Sequence, residues 1–123
     1  MPTGSGIGSG NAEQFKIENA FDTDVVAVVG PGATLLWGPA SANKKRTAGK
    51  STYILWVTIH NPTAGQITAW LEVGGVAITP PFEVTATQSI AYNMPTPVTV
   101  GDHDVNCNAS VATVQVQAGG YQI

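Results

Sequence analysis

Two histidines, eight carboxylates and a single cysteine are the most reactive side chains available to this sequence. The tightest cluster is Asp102-His103-Asp104, an imidazole between two carboxylates, all of them ligand types for a divalent metal. Adjacent residues in extended chain point to opposite faces, so the three cannot converge on one ion without a turn. The cluster reads as a polar turn, and no metal is expected there. Cys107 with His60 or His103 could form a nucleophile–base pair. It alternates with Val105 in an apolar strand pattern, however, and so reads as a small buried hydrophobe. The segment GSGIGSG at residues 4–10 places glycine at every second position. That is neither a dinucleotide fingerprint nor a phosphate loop. There is no G-x-S-x-G elbow, and the carboxylates are scattered through turns and strand ends. The sequence is therefore read as non-enzymatic, with no cofactor.

The elements that would position such groups follow from composition and periodicity. At 123 residues the chain is long enough for one domain with its own core. It is 43% hydrophobic and only 11% charged, which suits β-structure with extensive contacts and excludes intrinsic disorder. A net charge of −3 gives no positive field for nucleic acid or anionic lipid. A lone cysteine excludes a disulfide framework within the chain. The opening MPTGSGIGSG lacks the basic and apolar regions of a signal peptide, and no apolar run is long enough to cross a bilayer as a helix. Synthesis and assembly in a cytosol are expected, with no membrane partner.

Short β-branched runs separated by Gly, Pro and Asn turns at intervals of about 8 to 12 residues predict an all-β fold. The expectation is an antiparallel β-sandwich or jelly roll of about eight short strands. Residues 1–14, rich in Gly and Ser, read as an extended N-terminal arm, and residues 15–123 as a single sandwich domain. Strands are expected at residues 24–29, 33–37, 76–79 and in the closing Val114, Val116, Ala118 segment. Pro95 and Pro97 mark a loop, Gly119-Gly120 precedes a tail, and Trp37 is expected in the core.

The most informative stretch is Tyr53 to Val73, which reads as a hairpin of two strands turning at Asn61, Pro62 and Gly65. Alternation places Tyr53, Leu55, Val57 and Ile59 on one face of the first strand, with Ile67, Ala69, Leu71 and Val73 on one face of the second. Trp56 and Trp70 then share the opposite face, where water normally meets polar side chains. Tryptophan is enriched at interface hot spots, so the pair is a candidate binding surface. Lys44, Lys45, Arg46 and Lys50 form a local basic loop that suits an acidic protein surface. Without interleaved aromatics the loop is not a nucleic-acid site.

From Lys50 onward the cadence of the chain resembles that of tailed-bacteriophage virion proteins. The segments that carry the resemblance are WVTIHNPTAG, QITAWLEVGG, VTVGD, VNCNAS and the closing VATVQVQAGGY. They are similar to the small β-sandwiches used as head decoration or cement proteins and as tail and fibre modules. The resemblance implies a structural protein on the capsid surface of the virion, bound to the major capsid protein, as a homo-oligomer such as a trimer or dimer. In that role the arm (Gly4, Ile7, Phe15), the basic loop and the Trp56/Trp70 face would make the contacts. The alternative is a carbohydrate- or receptor-binding sandwich, or a tail or fibre subunit, with the tryptophans stacked on sugar rings.

Overall fold

The computed structural model describes residues 20–29, 31–38 and 51–123. Ten strands follow in chain order: β1 (Ala20–Asp22), β2 (Val26–Ala27), β3 (Gly32–Trp37), β4 (Thr52–His60) and β5 (Ile67–Val73), then β6 (Val76–Ala77), β7 (Phe82–Val84), β8 (Ser89–Thr99), β9 (Val105–Ala109) and β10 (Gln115–Gln122). They form two five-stranded antiparallel sheets. The first runs β1-β10-β4-β8, with β2 also on β10; the second runs β3-β9-β5-β6, with β7 also on β5. The all-β sandwich expected from the turn spacing is the observed fold. It has more strands than expected because the ladder includes pieces of two or three residues. Residues 24–29 do not form one strand. Thr23 interrupts the edge between β1 and β2, and its hydroxyl accepts the Ala118 N–H at 3.1 Å.

The core lies between the sheets. Ile54, Val57, Ile59, Val116 and Ala118 from the first meet Trp37, Ala69, Leu71, Val105 and Cys107 from the second. Period-two alternation predicts the inward residues of β5, β9 and, up to Ala118, β10 correctly, because over those spans each strand buries one face. Trp37 is in the core, as expected.

Residues 53–73 are not a hairpin. β4 pairs with β10 and β8, whereas β5 pairs with β9, β6 and β7, so the connection crosses from one sheet to the other. Asn61 makes that crossing. It is fully buried, its amide nitrogen donates to the carbonyls of Gly65 (2.8 Å) and Val84 (2.9 Å), and its amide oxygen accepts from the N–H (2.9 Å) and hydroxyl (2.6 Å) of Thr63. Its backbone N–H donates to Gln88. Pairing every polar atom is what makes a buried amide tolerable here. The tight two-residue hairpin comes later, at Gly74-Gly75, where φ of +60° and +83° gives the backbone twist that joins β5 to β6.

The face assignment for the first half of β4 is also corrected. Ile54 and Val57 both point into the core although they are three residues apart, and Tyr53 points out to stack on Tyr121 at 5.1 Å. On β10, Gly120 pairs with Ile54 and Gly119 with Trp56, which leaves Leu55 as an extra residue. This β-bulge reverses the side-chain parity of everything before it. On the other side Ile54 pairs with Val98 and Trp56 with Asn93, so residues 94–97 loop out from β8. Pro95 and Pro97 therefore mark an unpaired excursion, as expected, but one that lies within β8 and does not end it. β8 is an edge strand, where a residue without an N–H loses no ladder bond. Gly119-Gly120 likewise lies inside β10, at the bulge, where a Cβ on Gly120 would run into the Tyr53 carbonyl oxygen.

Two substitutions test this frame. Gly120→Ala forces the bulged backbones apart and is expected to cost about 3 kcal/mol or more in urea unfolding. Asn61→Ala removes both amide donors and the acceptor for Thr63, and is expected to cost roughly 2–4 kcal/mol. A loss under about 1 kcal/mol for either would contradict the roles assigned to them.

Candidate functional site

Because β4 and β5 belong to different sheets, Trp56 and Trp70 do not share a face. Each is half-buried on the outer surface of its own sheet, on opposite sides of the sandwich. The single aromatic surface expected from alternation is thus two surfaces with different chemistry. Gly4, Ile7, Phe15, Lys44, Lys45, Arg46 and Lys50 lie outside the described residues.

On the second sheet, Trp70 pairs across to Asn108, and Glu72 pairs with Asn106. The indole N–H donates to Glu72 Oε2 at 2.8 Å, and the Asn108 amide donates to the same oxygen at 3.4 Å. The carboxylate thus gathers donors from both neighbours. Leu35 on β3, opposite Asn106, is half exposed beside them.

On the first sheet, β4 presents Tyr53, Trp56, Thr58 and His60 outward. Gly119 of β10 and Asn93 of β8 flank Trp56. The next rows place Thr58 beside Gln117, and His60 between Gln115 and Ser89. The His60 Nδ1 to Ser89 Oγ distance is 2.7 Å. Gln117 Nε2 donates to the Thr23 carbonyl at 3.0 Å. Thr58, His60, Ser89, Gln115 and Gln117, with Val25, Ile59 and Val116, line a shallow depression of about 200 Å³; Trp56 lies beside it. A serine hydroxyl on an imidazole is the start of a nucleophile–base pair. No carboxylate among the described residues is hydrogen-bonded to this imidazole. What the arrangement offers is a set of neutral donors and acceptors beside an indole. The His60–Ser89 pair was not singled out from sequence. His60 carried the one available signal, an outward position at a strand end, but nothing local says that a strand beginning at residue 89 lies beside it.

The other sequence candidates separate cleanly. Asp102, His103 and Asp104 are all exposed in the turn after β8, where the His103 N–H donates to Val100 O and the ring packs over Gly74. Among the described residues no three His, Cys, Asp or Glu side chains are placed to hold a metal ion. Cys107 is buried, its Sγ lies 3.5 Å from the Thr34 carbonyl oxygen, and burial pushes the thiol pKa up from 9.0 to about 11. A search of protein-family models finds no match to the chain, and no curated protein matches it either.

The cysteine gives a direct test of burial. At pH 8 the thiol stays protonated and enclosed, so Ellman's reagent should label it only after denaturation; fast labelling of the folded protein would contradict the assignment. The raised folded-state pKa also sets a sign. The stabilisation from keeping a neutral thiol buried is full below the unfolded value of 9.0, and is lost as pH rises from there through about 11. Chemical unfolding midpoints should fall across that window, and Cys107→Ala should flatten the fall.

Proposed function

We propose that this chain is a non-enzymatic structural protein of a bacteriophage virion, a decoration or cement protein that binds the assembled major capsid protein as a homo-oligomer. The reading begins with the resemblance of residues 50–123 to such sandwiches. The observation that supports it most is the contrast between the two ends of the sheets. β8 is an edge guarded by Pro95 and Pro97. β3 pairs with β9 on one side and, among the described residues, with no strand on the other. It has no proline and no charged residue, and Leu35 is 51% exposed, with Val29 just before it 84% exposed. An open, uncharged, apolar edge is what proteins normally disguise unless another chain covers it.

Such an edge takes a partner strand through backbone hydrogen bonds, with side chains such as Leu35 filling alternate pockets. In sequence the proposed arm residues precede β1 and the basic residues Lys44 to Lys50 follow β3, and β1 and β3 each stand at the end of their own sheet's strand order. Repetition over a capsid lattice makes modest single contacts effectively permanent.

Co-sedimentation with expanded capsid shells tests the proposal. Full-length protein should saturate the shells at a fixed copy number. Deletion of residues 1–14, or the pair Val29→Asp and Leu35→Asp, should leave the thermal melt in place and reduce binding at least about tenfold. Shells that bind none of the full-length protein, or bind all variants equally, would refute it.

A further inference from the structure

We propose that the depression beside Trp56, on the outer face of the first sheet, is a binding site for a neutral oligosaccharide. This does not rest on the virion reading and uses a different part of the surface from the β3 edge.

The lining sets the ligand class. Thr58, His60, Ser89, Gln115 and Gln117 supply hydroxyl, imidazole and amide groups beside apolar surface that includes Ile59 and Val116, and no carboxylate, lysine or arginine lines the depression. A phosphate or carboxylate ligand would lack a counter-charge there, and a cation would lack an anion. A ligand dense in hydroxyl groups, each both donor and acceptor, matches such a wall. Val25, 59% exposed at the rim, offers an apolar lip for the C–H face of a pyranose ring. At about 200 Å³ the depression is smaller than the ~300–1,000 Å³ of sites that enclose a drug-sized molecule. It therefore holds one ring or a chain end, with the rest of the ligand lying across the sheet.

Trp56 is placed to receive that remainder. It lies two residues from Thr58 on the same face of β4, about 7 Å along the strand. Its indole makes no hydrogen bond among the described residues, and Gly119 beside it has no side chain to cover the ring. Trp70 is placed differently. Its N–H and the Asn108 amide are already spent on Glu72.

The backbone at the rim supports the same location. Among the described residues only Thr87 (φ 60°) and Thr113 (φ 71°) are non-glycine residues in the left-handed region. For a β-branched residue this is costly, and such strain collects at ligand clamps. Each stands two residues before a lining side chain, Thr87 before Ser89 and Thr113 before Gln115.

Titration of ¹⁵N-labelled full-length protein with neutral pentasaccharides of β-1,4-linked glucose, N-acetylglucosamine and mannose provides the test. A heparin-derived pentasaccharide serves as the charged comparison. At least one neutral probe should shift the amides of Thr58, His60, Ser89 and Gln117 in a saturable way and quench tryptophan fluorescence. Trp56→Ala and Ser89→Ala should each weaken that binding by about tenfold, whereas Trp70→Ala should leave it unchanged within about twofold. The proposal is overturned if none of the neutral probes shifts these amides, if only the heparin fragment does, or if the shifts centre on Trp70. It is equally overturned if Trp56→Ala and Ser89→Ala abolish capsid binding while no saccharide binds, because the face would then be a protein-docking surface.

Discussion

The amide side chain of Asn61 is the joint on which the two-sheet arrangement depends. A run of alternating residues as regular as 53–73 would fold most simply as a hairpin, with both strands in one sheet. Asn61 prevents this by tying the turn to Gly65 within itself and to Val84 at the end of β7, while its own N–H reaches Gln88. Those contacts commit the chain leaving β4 to the opposite sheet. Consecutive strands therefore face one another across the core instead of lying side by side, and β9 to β10 repeats the pattern. The buried amide is costly unless every donor and acceptor is met, and here each one is.

The bulge at Leu55 adds a second constraint. By reversing parity within β4 it lets both Ile54 and Val57 reach the core while Tyr53 and Trp56 stay outside. It requires glycine at residue 120, because the two backbones come too close for any side chain. The tyrosine stack, Trp56 and the polar row ending at His60 owe their common surface to this one extra residue.

Much of the core was legible in the sequence. Ile67, Ala69, Leu71 and Val73, the Val105–Cys107 pair and the Val114–Ala118 segment all face inward, because strict alternation over a strand buried on one face leaves little freedom. What the sequence hid has physical reasons. Period two carries no mark of a bulge, so the faces at the start of β4 were assigned the wrong way round. Prolines and paired glycines usually end strands, but an edge position and a bulge accommodate them inside β8 and β10. Above all, pairing is long-range. Trp56 and Trp70 appear equivalent along the chain, and only the choice of partner strands sends them to opposite sides. His60 and Ser89 meet for the same reason, across a pairing that skips three intervening strands.

The two outer faces and the β3 edge therefore offer three distinct surfaces: one where Trp70 is tied to Glu72, one where Trp56 stands beside an uncharged depression, and one an apolar strand with no described partner on its outer side. Their separation depends on β4 and β5 lying in different sheets. Backbone nuclear Overhauser contacts in ¹⁵N,¹³C-labelled protein test this most directly. The account predicts cross-strand contacts of Val57 with Ala118 and of Leu71 with Cys107, and none between the backbones of β4 and β5. A ladder of contacts joining residues 54–60 to residues 67–73 would contradict it.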